Sequence, residues 1–416
     1  MPAEAKPATT SARFAKVLLY VTFAWLLCTV LASHAQQSEQ TLYSFTGYAD
    51  GGKPLGPVLL DNARNIYGIA DSGGSMNAGI VFETQPNGKS WNETVLHSFG
   101  TQADDGVYPS GQLIRDNAGN LYGTTSAGVA VRCPNGQYGT VFELSPNSDG
   151  TWTETVLQSF DGHDGGTPFG GVTFDREGNL WGTTSTGPTG WGTVFVMLRQ
   201  KKWMLKTIYN FTGGSDGGTP QAGLSLDSLG NLWGTTSSAG NYGAGTVFEL
   251  QRSGAVWEFS TVYEFTGGAD GGQPVYGTLI FDQSGNVYGT TLSGGNSACK
   301  CGVVFDLVLV NGSWQENPIY AFTGKADREY PRAGLAFDRT GRLYGTTSGN
   351  GSAKYGNIFR LANSGGQWNF NVVYTFDFVH GAYPLGGIAI GQGDTLYGST
   401  NSGGGIGEGI VYEIAP

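Results

Sequence analysis

The strongest constraint on this chain is that it repeats itself. The stretch "NFTGGSDGGTPQAGLSLDSLGNLWGTT" from Asn210 returns as "EFTGGADGGQPVYGTLIFDQSGNVYGTT" from Glu264, and precedes itself as "SFDGHDGGTPFGGVTFDREGNLWGTT" from Ser159. Three anchors mark the period. A Phe closing a "LYSF"-like segment falls at Phe45, Phe99, Phe160, Phe211, Phe265, Phe322 and Phe376. The Gly of "YGTT" falls at Gly68, Gly123, Gly182, Gly234, Gly289, Gly345 and Gly398. The aromatic of "GTVF" falls at Phe82, Phe142, Phe195, Phe248, Phe305, Phe359 and Tyr412. Each anchor occurs seven times, at spacings of roughly 51 to 61 residues, as in units built from several strands.

Each unit reads as four short strands. In the fourth copy these are A (Ala222 to Asp227), B (Asn231 to Thr236), C (Gly245 to Leu250) and D (Trp257 to Phe265). They are rich in Val, Thr, Tyr, Phe and Trp and bounded by Gly, Asn and Asp, which are strand signals. The A–B turn "D-x-x-G-N" puts Gly where a hairpin needs a positive φ. No helical period appears. Weak alternation in strand D segments such as "TLYSF" suits a strand covered on both faces.

Seven four-stranded units imply an all-β, seven-bladed β-propeller, with a β-helix or other solenoid as the alternative. The ends of the repeat array favour the ring. The last copy has strands A, B and C but no D, whereas the first element, Thr41 to Phe45, is a D strand with no C before it. Residues 41–45 are therefore expected to complete the last blade and remove an open sheet edge. The mid-strand Gly of "YGTT" reads as close backbone approach where blades narrow toward the axis. Trp181 and Trp233, which replace the strand-B Tyr, read as core.

Gly makes up 70 of 416 residues, far above the usual share of about 7%. The excess lies in repeat loops, not in a linker. A formal net charge of −11 argues against nucleic acid or an anionic membrane as partner. Residues 1–35 read as a separate secretory signal. Lys6, Arg13 and Lys16 precede the apolar run Val17 to Ala32, and "SHA" offers small residues before Gln36. That run falls short of the roughly 20 residues needed to span a bilayer. Leu27 before Cys28 disfavours a lipid anchor, and no hydrophobic tail follows the last strand. The expectation is a secreted, extracellular or periplasmic monomer with one domain, residues 36–416.

The phrases "NLYGTTSAG", "GTVFEL", "VLQSF" and "FTGGADGGQP" resemble the Gly-rich extracellular tandem repeat of bacteria called the GloVer repeat. The resemblance covers nearly all of residues 41–416. It implies an exported bacterial protein, and it brings no activity and no catalytic residues. Members are often attached through C-terminal anchors, which this chain does not show.

Strand direction places the D–A and B–C loops on one rim and the short A–B and C–D turns on the other. Loops on a fixed scaffold carry recognition, so the first rim is the expected binding face. An acidic residue recurs there at Asp50, Asp105, Asp164, Asp216, Asp270 and Asp327, with His380 in the seventh place. Three readings are open: a turn that caps its own backbone, Ca²⁺ ligation, or hydrogen bonding to a polar ligand. One or two carboxylates per loop are too few for Ca²⁺, so no metal and no cofactor are expected. Tyr108, Tyr330 and Tyr383, with Tyr48 and Phe169, could stack on sugar rings. Tyr138, Trp191, Tyr242 and Tyr355 before strand C either join them or pack between loops.

Catalytic motifs are missing. His97, His163 and His380 read as solvated, and no nucleophile elbow or zinc-protease motif occurs. After signal removal Cys133, Cys299 and Cys301 remain, which allows a local Cys299–Cys301 bridge or free thiols, with Cys133 unpaired. The expected function is binding of a glycan or protein on the rim. The alternatives are a carbohydrate-active lyase or hydrolase using rim carboxylates, and a structural cell-envelope component.

Overall fold

The computed structural model describes Met1 and residues 38–102, 104–128, 138–254, 256–349 and 355–415. Residues 2–35 of the expected signal peptide and Cys133 lie outside them. The chain divides into two units, Met1–Ser38 and Glu39–Pro416, and every strand among the described residues belongs to the second.

The strands form seven antiparallel four-stranded sheets, each ordered A-B-C-D: a seven-bladed β-propeller. The fourth blade consists of Ser225–Leu226, Leu232–Thr236, Thr246–Ser253 and Val256–Glu264. Strand A is shorter here than the six residues expected. The segment before it serves the axis instead: a Cβ at Gly170 would meet the Ala222 carbonyl carbon at 2.3 Å, and one at Gly111 would meet the Gly171 nitrogen at 2.3 Å. Neighbouring blades thus touch backbone to backbone in a ring of small residues.

The ring closes through its ends. The first strand (Glu39–Ser44) pairs antiparallel with the last (Ile410–Ile414), placing Glu39 opposite Ile414 and Ser44 opposite Ile410. The Phe45 amide also donates to the Gly409 carbonyl at 3.0 Å.

The three sequence anchors converge on one cluster per blade. In every sheet the strand-B Gly faces the strand-C aromatic, from Gly68 opposite Phe82 to Gly398 opposite Tyr412. The aromatic ring lies over the glycine, so the need for Gly comes from the facing ring and not from narrowing at the axis. That same ring meets the strand-D Phe of the preceding blade edge-on, at centroid distances of 5.0 to 5.3 Å at all seven seams. Such pairs contribute about 0.5–1.5 kcal/mol each beyond area burial.

The threonines of "YGTT" divide the work. The first reaches the next blade in several copies, as Thr183 donates to the Ala222 carbonyl at 3.0 Å, whereas Thr124 donates to the Ser110 carbonyl of its own blade at 3.1 Å. The second caps its own loop, as Thr184 donates to the Thr186 carbonyl at 2.8 Å. In strand D the register slips at the same place in all seven blades, for example between Val247 and Phe248 of the strand-C partner. A bulge re-aims the residues beyond it. This local break explains why "TLYSF" does not alternate, since strand D is half-buried at the seam and not covered on both faces as expected.

A second stitch closes each seam at the loop rim. The residue before each loop proline donates its N–H to the carbonyl before strand C of the preceding blade, as Thr219 to Trp191 and Gln273 to Ala244, both at 2.7 Å. All seven of these residues (Lys53, Tyr108, Thr167, Thr219, Gln273, Tyr330 and Tyr383) have φ between 54° and 61°. Left-handed backbone before Pro is sterically disfavoured, so the ring fixes a conformation the isolated loop would avoid. The proline then packs on the Gly that opens strand C: a Cβ on Gly245 would stand 3.0 Å from Pro274 Cδ.

Candidate functional site

The recurring rim aspartates face into their own loops. Asp216 accepts the Thr212 amide at 2.7 Å, the Thr212 hydroxyl at 2.6 Å, the Gly214 amide at 3.1 Å and the Tyr209 hydroxyl at 3.0 Å. Burial and that last bond push the Tyr209 phenol up to about 12. Asp50 does the same with Thr46 and Tyr43, Asp270 with Thr266 and Tyr263, and Asp327 with Thr323 and Tyr320. The bulge in strand D is what turns each Tyr toward the loop. Asp105 takes the Thr101 amide at 3.0 Å, and Asp164 takes the Asp161 amide at 2.9 Å and the Gln158 side chain at 2.8 Å.

In the seventh blade the roles reverse. His380 donates from its backbone to Asp377 at 2.8 Å, and its Nδ1 lies 2.9 Å from the same carboxylate, whose hydrogen bond raises the His380 pKa. Of the three readings, geometry favours the turn cap. Asp105, Asp216 and Asp327 are buried and hydrogen-bonded within the protein. His163 and His380 are exposed as expected, but His97 is not: it is only 11% exposed, because it packs into the seam between the first two blades.

The rim aromatics separate into two groups. Tyr138 and Trp191 lie over the glycines of the next loop: a Cβ on Gly162 would meet Tyr138 Cζ at 2.7 Å, and one on Gly213 would meet Trp191 Cε2 at 2.2 Å. Tyr355 packs on Phe378 and Tyr383 at 5.4 and 6.1 Å. These pack between loops. Trp181 and Trp233 are buried, with indole N–H groups donating to Asp175 and Asp227 at 2.9 and 3.3 Å. Cys299 and Cys301 are joined by a disulfide.

Tyr108 and Phe169 belong to the second group. They line a cavity of about 340 Å³ built by the starts of strand A and the ends of strand B from six blades, at the rim of the D–A and B–C loops. Tyr330 and Tyr383 are not in its lining. Tyr276 joins the lining because the fifth blade has one more residue between Pro274 and Leu279 than its sister loops, and its ring meets Phe169 edge-on at 6.3 Å.

Two charged lining residues complete the wall. Arg332 Nε and Asp71 Oδ1 are buried and have no hydrogen-bond partner among the described residues. Burial raises the Asp71 carboxyl above its usual range. The hydroxyls nearby are occupied, with Ser110 donating to the Pro168 carbonyl at 3.0 Å and Ser126 to the Tyr108 carbonyl at 3.1 Å.

Sequence reasoning missed Asp71, Tyr276 and Arg332. A signal was present for the last. The residue after each loop proline reads Leu55, Ser110, Phe169, Gln221, Val275, Arg332 and Leu385, a variable place in an otherwise repeated frame.

The chain matches the Gloeobacter/Verrucomicrobia repeat over residues 29–195 and 183–412. It belongs to this repeat family. A Bacteroides uniformis protein provisionally named a 6-phosphogluconolactonase is similar in structure, with a TM-score of 0.51 and 15% identity over 84% of this chain and 89% of its own. A Thermus thermophilus protein provisionally named an oxidoreductase (glucose dehydrogenase) gives a TM-score of 0.41 and 13% identity, covering 91% and 99%. The first likeness speaks to the fold alone. No curated protein matches this chain.

Proposed function

We propose that this member of the repeat family is an exported, non-enzymatic propeller that binds an acidic saccharide in the axial cavity. The observation that carries the reading is Arg332, a half-buried side chain whose Nε has no hydrogen-bond partner among the described residues, in a cavity that Tyr108, Phe169 and Tyr276 also line. Aromatic faces stack on sugar rings, and a guanidinium matches a carboxylate geometrically. Concave sites with a few convergent polar groups are where small ligands bind. The cavity is one asymmetric site, not seven equivalent ones. The engaged hydroxyls of Ser110 and Ser126 support binding over acyl transfer.

The test is an oligosaccharide array probed with residues 36–416. Binding to uronate-containing but not neutral oligomers, lost in Arg332→Gln, supports the reading. Binding that ignores Arg332→Gln, or turnover of a bound oligomer, overturns it.

A further inference from the structure

At several seams three positions converge: the residue two before a strand-D Phe, the loop carboxylate after it, and the residue six before the next strand-D Phe. Between the third and fourth blades these are Tyr209, Asp216 and Phe259, with the two rings stacked at 3.9 Å. Between the fifth and sixth they are Tyr320, Asp327 and Phe370, stacked at 4.1 Å. The seam between the first and second blades holds His97, Asp105 and Glu154. Each of the three offers one ligand atom, all within 4.8 Å of one another, and no other such group occurs among the described residues.

The distances distinguish two explanations. His97 Nε2 lies 3.4 Å from Asp105 Oδ1 and 3.7 Å from Glu154 Oε2. Both exceed the usual 2.7–3.2 Å of an N–H···O hydrogen bond. Ligand bonds of about 2.0–2.2 Å in a tetrahedron place neighbouring donor atoms about 3.4 Å apart. The two separations from His97 match those between donor atoms around one ion, and all three atoms lie within 4.8 Å of one another.

Burial adds an independent reason. The side chains of His97, Asp105 and Glu154 are 11%, 0% and 3% exposed. Glu154 Oε1 is buried without a hydrogen-bond partner. Two carboxylates taken out of water together are costly unless a cation offsets them. Asp105 is also oriented: the Thr101 amide holds its Oδ2 at 3.0 Å, leaving Oδ1 toward the histidine. A fixed second oxygen is how ligating carboxylates are held.

We propose that His97, Asp105 and Glu154 form a binding site for one first-row divalent cation of the Zn²⁺ class, which staples the first blade to the second. One nitrogen and two oxygens suit such an ion, whereas Ca²⁺ takes six to eight oxygens. The fourth position is left to water. This departs from the expectation of no metal, which considered the loop carboxylates one loop at a time. The two strand-D ligands lie outside those loops.

The test uses residues 36–416 freed of metal with a chelator and titrated with Zn²⁺ alone, then with Co²⁺ as a visible-spectrum probe. The wild type is expected to take up one equivalent, show a tetrahedral Co²⁺ spectrum and melt at higher temperature with Zn²⁺. His97→Tyr installs the residue found at Tyr43, Tyr209, Tyr263, Tyr320 and Tyr374, so the fold has room for it. His97→Tyr and the near-isosteric Glu154→Gln should each weaken Zn²⁺ binding at least about tenfold, since even outer-shell changes cost about 10–100-fold. Glu316→Gln at the fourth–fifth seam should bind as wild type. No stoichiometric uptake by the wild type, an octahedral Co²⁺ spectrum, or undiminished uptake by His97→Tyr overturns the proposal.

Discussion

Gly234 lies beneath the ring of Phe248: a Cβ on the glycine would stand 2.4 Å from Phe248 Cζ. The ring cannot retreat, because Phe211 of the preceding blade holds it edge-on at 5.2 Å. Overpacking of this kind costs about 1–3 kcal/mol. Gly234→Ala should therefore lower the denaturation midpoint, and Gly234→Val should lower it further. In a double-mutant cycle, Phe248→Leu should recover part of the loss from Gly234→Ala, because the two positions share one contact. Additive costs measured by urea denaturation would show that the contact is not what excludes a side chain.

The pairing of Glu39 with Ile414 makes the ring depend on its N-terminal strand. Deleting residues 39–44 leaves Ile410–Ile414 with an unpaired edge, and such edges recruit other strands. The expected outcome is a lower melting temperature with concentration-dependent association in light scattering. A monodisperse variant of unchanged stability would mean that closure contributes little.

Carboxyl groups at two further seams set a pH dependence. Burial, then the neighbouring Asp50, raises Glu93 to about 7, and burial, then Asp270 and Asp306, raises Glu316 to about 8. Both have an ordinary value of 4.5. Between the ordinary and raised values the folded state binds more protons than the unfolded one, so stability falls as pH rises. The contribution is complete below the ordinary value and lost as pH climbs through about 7 to 8. The melting temperature should drop from pH 6 to pH 9, and Glu316→Gln should flatten the slope. A melting temperature that rises over that interval would contradict the assignment.

The propeller was legible because its packing is written seven times. Each Phe, Gly and aromatic anchor recurs with its partner, so the period itself encodes the seam cluster. Ring closure was legible for a simpler reason, the displaced strand at Thr41–Phe45. The functional surface was harder to read. Asp216 and its sisters looked like a site because they repeat, yet repetition marked a shared structural duty, closing a loop with Thr212 and Tyr209. Arg332, Asp71 and Tyr276 come from different blades and meet only because the ring brings them to one axis. His97 looked like an outer-strand residue in solvent, and nothing within its own repeat shows that Glu154 of the next blade covers it.

This division makes a prediction about the three tyrosines of the rim. Tyr108 lines the axial cavity and is 50% exposed, whereas Tyr383 packs against Tyr355 and neither it nor Tyr330 is in the lining. All three have similar positive φ values, at 58°, 61° and 56°, so backbone effects of substitution should be comparable. Tyr108→Ala removes a stacking face and should weaken binding of an acidic oligosaccharide by roughly 2- to 12-fold, the equivalent of about 0.5–1.5 kcal/mol. Arg332→Gln should weaken it more, because a charge-assisted bond is roughly twice as strong as a neutral one. Tyr383→Ala should leave affinity nearly unchanged and instead lower stability by loosening the loop seam. Titration calorimetry on the three variants, with melting curves alongside, separates these outcomes. Equal loss of affinity in Tyr108→Ala and Tyr383→Ala would place the ligand on the outer rim and not on the axis.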